Sequence, residues 1–119
     1  MKKTSIFFLF IAVVMCFSFT SSKQLLPTNL RLTVLDNIGN VVSGATVKLY
    51  ANDDDYEEDE NAVAEMVTDK KGVANFKSLK TQSYYVRATH KKMSNDDTAY
   101  ETGELVSGRI NKINLIIKE

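Results

Sequence analysis

The sequence is poor in the residues that carry most protein chemistry. Its 119 residues include one cysteine, one histidine, one proline and no tryptophan. Cys16, the lone cysteine, lies inside an apolar leader, so loss of that leader removes every disulfide and every thiolate metal site. With His90 as the only histidine, a His-rich metal centre is excluded, and any Ser-His-Asp arrangement would have to be built on that one ring. No Gly-x-Ser-x-Gly elbow occurs, and the five glycines are scattered at turns instead of forming a phosphate-cradling loop. Basic excess is also missing. Lys and Arg total 15 against 15 Asp and Glu, and without Lys2 and Lys3 the balance is 13 to 15. Nothing in that balance draws nucleic acid.

What is present begins with an export pattern. Lys2 and Lys3 precede an uncharged run from Ser5 to Phe19, and Thr20, Ser21 and Ser22 are small residues at its exit. This is the layout of a signal peptide spanning residues 1–22, cleaved after Ser22. The run is shorter than the roughly 20 residues of a good membrane span, which makes an uncleaved anchor the weaker alternative. A second alternative places a lipid on Cys16. Val13-Val14-Met15-Cys16 resembles a bacterial lipobox, with Met15 where that pattern has a smaller residue.

After a tether at 23–29, residues 30–119 read as one domain with a single core. Period-two alternation dominates it. Leu30, Leu32 and Val34 form one apolar row. Ala45, Val47 and Leu49 form another, and Phe76, Val86, Leu115 and Ile117 extend the inward set. Further strands are expected at 63–68, 74–79, 84–89, 99–107 and 113–117, with 91–98 as a loop. Seven short strands without a helical period predict a Greek-key β-sandwich.

Three stretches carry a family resemblance: Asp36-x-x-Gly39-x-Val41-Val42-x-Gly44-Ala45-x-Val47-x-Leu49, Thr68-Asp69-x-x-Gly72-x-Ala74-x-Phe76-x-x-Leu79, and Tyr85-Val86-x-Ala88. Together they resemble the carboxypeptidase regulatory-like domain, a transthyretin-like (prealbumin-like) β-sandwich of bacterial envelope proteins. The resemblance implies a binding or structural module without chemistry, its partner an envelope protein or a glycan. Membrane contact would run only through the leader or a lipid on Cys16. A transthyretin-like hydrolase is the competing reading, but such enzymes carry several histidines and a Tyr-Arg-Gly-Ser motif that is missing here. Surface-pilin domains of similar shape join a first-strand Lys to a last-strand Asn. Here the inward first-strand positions are Leu30, Leu32 and Val34, and Asn114 alternates opposite the core set.

The most conspicuous polar feature is Asn52-Asp53-Asp54-Asp55-Tyr56-Glu57-Glu58-Asp59-Glu60, seven carboxylates in nine positions. It reads as a solvated loop that could be deleted at little cost in stability. Calcium is the one cofactor it suggests, through Asp53, Asp55, Glu57 and Asp59, although the spacing is not that of an EF-hand. Lys70, Lys71, Lys77, Lys80, Arg87, Lys91 and Lys92 are expected on solvated strand faces. Tyr50 and Tyr85 point outward by alternation, where they could stack on sugar rings as a carbohydrate-binding module would.

Overall fold

A computed structural model describes residues 26–119. The expected signal peptide, its cleavage point and Cys16 lie outside the described residues, as does the start of the tether. The elements are β1 (Asn29–Leu35), β2 (Thr46–Tyr50), α1 (Asp53–Glu58), β3 (Ala64–Val67), β4 (Val73–Phe76), β5 (Tyr85–His90), β6 (Met93–Ser94), β7 (Tyr100–Glu101) and β8 (Ile110–Ile116). The tether yields to structure slightly early. Thr28 is buried, with its carbonyl accepting from Leu79 N–H and its hydroxyl from Gly108 N–H.

Two sheets face each other. The small sheet runs β4-β1-β8, with β8 parallel to β1 and β4 antiparallel to it. The large sheet runs β3-β2-β5-β6, and β7 also pairs with β5. Alternation sets which side chains meet between them. Leu32, Val34, Val47, Leu49, Phe76, Val86, Leu115 and Ile117 are all buried, joined by Leu30, Ala45, Ala74, Tyr84, Ala88 and Leu105. The inward register read from the sequence is therefore the observed one.

Among the described residues the strand count is eight, not seven. The extra strand, β6, lies in the stretch expected to be a loop. Lys91 adopts a left-handed backbone (φ 55°), and the chain turns back after Lys91-Lys92 so that His90 pairs with Met93. The strand expected over 99–107 shrinks to Tyr100–Glu101. Between β6 and β7 the edge is interrupted, and a side chain fills the gap. Asn95, 5% exposed, accepts from Ala88 N–H at 2.9 Å and donates to the Val86 carbonyl at 2.8 Å. One amide group thus replaces a missing strand residue, since buried backbone groups need partners.

The two Asp-x-x-Gly stretches build the same turn twice. Asp36 Oδ1 accepts from Ile38 and Asn40 N–H, and Asp69 Oδ1 accepts from Lys71 and Val73 N–H. Gly39 N–H and Gly72 N–H then close each turn on the Asp carbonyl. Those backbone donors hold the Asp69 carboxyl below its usual range. Gly72 has a positive φ of 76°, and a Cβ there would stand 2.9 Å from Val41 Cβ and 3.0 Å from the Val34 carbonyl oxygen. Only glycine meets both demands.

Candidate functional site

The acidic stretch is not a detached loop. Residues 53–58 form α1, a helix too short to show a period in the sequence. Asn52 caps it, with its side-chain oxygen accepting from Asp55 N–H at 2.8 Å, and three aspartates occupy the first turn, where the helix dipole favours negative charge. The helix stops at Asp59, which turns left-handed (φ 51°, ψ 47°). Asp59 N–H then bonds the Tyr56 carbonyl and Glu60 N–H the Asp55 carbonyl, a Schellman-type ending.

One residue of α1, Tyr56, is buried, at 3% exposure. Its ring meets Tyr50 edge-on at 5.7 Å between centroids and lies 6.0 Å from Tyr85. The Arg87 guanidinium sits 4.3 Å from the Tyr56 ring centroid, within cation–π range. Arg87 also donates to the Tyr56 carbonyl and pairs with Asp96, while its Nε lies 4.0 Å from Asp59. Asp59 accepts from the Tyr50 hydroxyl and stands 3.4 Å from Lys48 Nζ. The Tyr50 bond holds the Asp59 carboxyl below its usual range. Burial, with that carboxylate beside it, pushes the Tyr50 phenol up to about 12.

The calcium candidates do not converge. Asp55 is spent on Asn52 and Asn61, Asp59 faces Tyr50, and Asp53 and Glu57 are exposed. Among the described residues no group of three His, Cys, Asp or Glu side chains is placed to hold a metal. The outward positions of Tyr50 and Tyr85 also need correction as a sugar platform. Both lie on the outer face of the large sheet, but α1 covers it and Tyr50 is 0% exposed. Arg87, expected among solvated bases, is clamped under the same helix. His90 Nδ1 lies 3.2 Å from the Gly44 carbonyl, at the far end of β5 from Tyr85. The sequence reading missed Arg87, Tyr56 and Asn95. The available signal for α1 was Asn52 three residues before Asp55, with a single large apolar residue in an otherwise acidic run.

Chemically the cluster is a clasp. A phenol that stays protonated, a guanidinium and two carboxylates pair with one another, while the buried Tyr56 hydroxyl and Arg87 Nε have no hydrogen-bond partner among the described residues, and the groups left pointing outward are the carboxylates of α1.

The family profile of the SpaA prealbumin-like fold domain matches residues 28–108. The chain belongs to that family. This SpaA-type domain shares its fold with the Bacillus anthracis TIE protein, at 22% identity and a TM-score of 0.57, over 76% of this chain and 16% of that one. The major pilin subunit of Bacillus cereus matches at 15% identity and 0.53, over 79% and 30%. The pilus 2b backbone protein of group B streptococcus matches at 12% and 0.57, over 76% and 40%. The chain thus spans less than half the length of each of these solved proteins. No curated protein sequence matches it. The prealbumin-like fold expected from the sequence motifs is the one matched. In this SpaA-type domain β1 reads Asn-Leu-Arg-Leu-Thr-Val-Leu, with no lysine, and Asn114 is exposed opposite Thr33. A Lys–Asn cross-link between first and last strands has no lysine to use.

Proposed function

We propose that the chain is an exported, non-catalytic structural module of the bacterial cell envelope that packs against other surface or pilus subunits. The observation that carries this reading is the family match over residues 28–108. The leader at residues 1–22 supports export, and the pilin likeness of the fold supports a surface location. The narrower kinship with carboxypeptidase regulatory-like domains rests on the two Asp-x-x-Gly motifs and belongs to the same proposal. The site chemistry fits a module without turnover or cofactor, because the clasp residues are committed to one another and the sole histidine stands beside a backbone carbonyl.

The test is affinity capture from envelope extract with the exported protein as bait, read by mass spectrometry, together with N-terminal sequencing of the exported material. A reproducible surface-subunit partner and a mature N-terminus at Lys23 are the expected results. An N-terminus at a lipidated Cys16 would make the protein a lipoprotein. Intact chain confined to the cytosol, or hydrolase turnover lost on His90→Ala, would overturn the reading.

A further inference from the structure

The two outer faces of the sandwich carry opposite charge. On the small sheet the register sets Arg31 beside Lys112 on one side and Asn75 on the other, with Asn29 and Ile110 in the row below and Thr33 and Asn114 in the row above. Lys77 ends the β4 side. Arg31, Lys77 and Lys112 are exposed, and so are Ile110 and Ile116, each 58% accessible. Among the described residues no helix covers this face. The acid adjoining it, Asp69, is engaged with the Lys71 and Val73 amides of its own turn. On the large sheet, α1 presents Asp53, Asp54, Glu57 and Glu58 to solvent, with Glu60, Glu65 and Glu101 also exposed around it. The two bases on that face are already matched, Lys48 to Asp59 and Glu65, and Arg87 to Asp96.

We propose that the bare outer face of the small sheet docks the α1-covered face of a second copy of this chain, with Arg31, Lys77 and Lys112 set against the outward carboxylates of α1. The faces lie on opposite sides of one molecule, so they cannot satisfy each other within it. Front-to-back contact between copies is heterologous and leaves a free face at each end, so it extends into a row instead of closing as a dimer. Size fixes its strength. Three strands about 4.8 Å apart, the longer two of seven residues at about 3.3 Å each, cover at most roughly 14 by 23 Å. That is well below the roughly 800 Å² per partner of a stable interface. The contact is weak and salt-controlled on its own, and gains from any tether that raises local concentration. The inference rests on the structural-module reading and names its partner.

Sedimentation velocity across a concentration series tests it, with purified protein at about 10 mM and about 1 M salt, where charges are screened over about 30 Å and about 3 Å. Concentration-dependent association is expected at low salt and loss of it at high salt. Arg31→Glu with Lys112→Glu makes both faces acidic and should leave monomer. Glu57→Lys with Glu58→Lys sets two lysines on α1 against Arg31, Lys77 and Lys112 and should weaken association. The lysines fall near a helix C-terminus, where the dipole favours them, so this variant keeps its fold, as a thermal melt verifies. Mixing the two variants restores complementarity and should restore association. Wild-type monomer at low salt, association indifferent to the charge reversals, or no recovery on mixing would each overturn the proposal. Binding of monomeric wild type to anionic phospholipid vesicles through Arg31 and Lys112 would assign the face to lipid instead. A captured surface-subunit partner together with monomeric wild type would defeat this inference while leaving the structural-module function standing.

Discussion

Arg31 and Arg87 occupy equivalent places on two sheets. Each is the outward residue at the centre of a central strand, β1 in one sheet and β5 in the other. Arg31 is exposed, while the Arg87 side chain is 16% accessible, stacked on Tyr56 and paired with Asp96. The difference lies in a six-residue helix. Alternation tells which side chains leave the core, and it is silent on whether something else waits outside. On the small sheet, outward means solvent. On the large sheet it means a second, smaller layer of tyrosines and an arginine beneath α1.

The largest effect that sharpens this contrast falls on Tyr56. Tyr56→Ala removes a buried ring and the cation–π partner of Arg87, and should cost about 2–3 kcal/mol in urea melts. Lys112→Ala on the bare face should cost under about 0.5 kcal/mol. Equal values would mean that α1 is not a packed layer. Asn95→Ala comes next. It strands the Ala88 N–H and the Val86 carbonyl, so a loss of about 1–3 kcal/mol is expected, with faster hydrogen exchange at the Ala88 amide. Unchanged exchange there would show that the side chain does not stand in for a strand.

Tyr50→Phe is smaller, about 0.5–1.5 kcal/mol at neutral pH, for the lost bond to Asp59. Its pH dependence is more telling. The folded Tyr50 phenol is raised from 10.0 to about 12. Its contribution is complete below the unfolded value and is lost as pH rises through the folded one. Comparing melts of wild type and Tyr50→Phe through that alkaline window isolates Tyr50 from the other tyrosines, and the difference should shrink toward pH 12. Asp59, held low, works the other way, contributing above the ordinary carboxylate range and losing that contribution as pH falls through its folded value. Lys48→Ala should be the smallest, under about 0.5 kcal/mol, because its partners Asp59 and Glu65 are half-exposed.

The sandwich core was legible because one face of each strand is buried, and burial writes period two into the sequence. The turns at Asp36 and Asp69 were legible because a side-chain acceptor followed by a positive-φ glycine is local chemistry. The roof was not legible for the opposite reason. Six residues give too few turns for a helical stripe, seven carboxylates read as solvent-seeking, and α1 is held to the sheet by Arg87, which reaches the Tyr56 carbonyl from 31 positions away, a contact that no local pattern encodes. Asn95 hid in the same way. A lone amide in a polar stretch carries no sign that it will complete a ladder. The calcium candidates looked free in the sequence because nothing local shows that the Asp55 carboxylate accepts from Asn52 and Asn61 and that Asp59 holds Tyr50.

The central claim is that the acidic segment is a folded layer clasped to the large sheet. The most direct measurement is the paired denaturant melt of Arg87→Ala and Arg31→Ala, two arginines at equivalent outward positions. Arg87→Ala should lose about 1–3 kcal/mol, since it gives up charged hydrogen bonds and the Tyr56 ring together, while Arg31→Ala should stay within about 0.5 kcal/mol of wild type. Matching losses, both within about 0.5 kcal/mol of wild type, would contradict the clasp and return residues 53–60 to solvent.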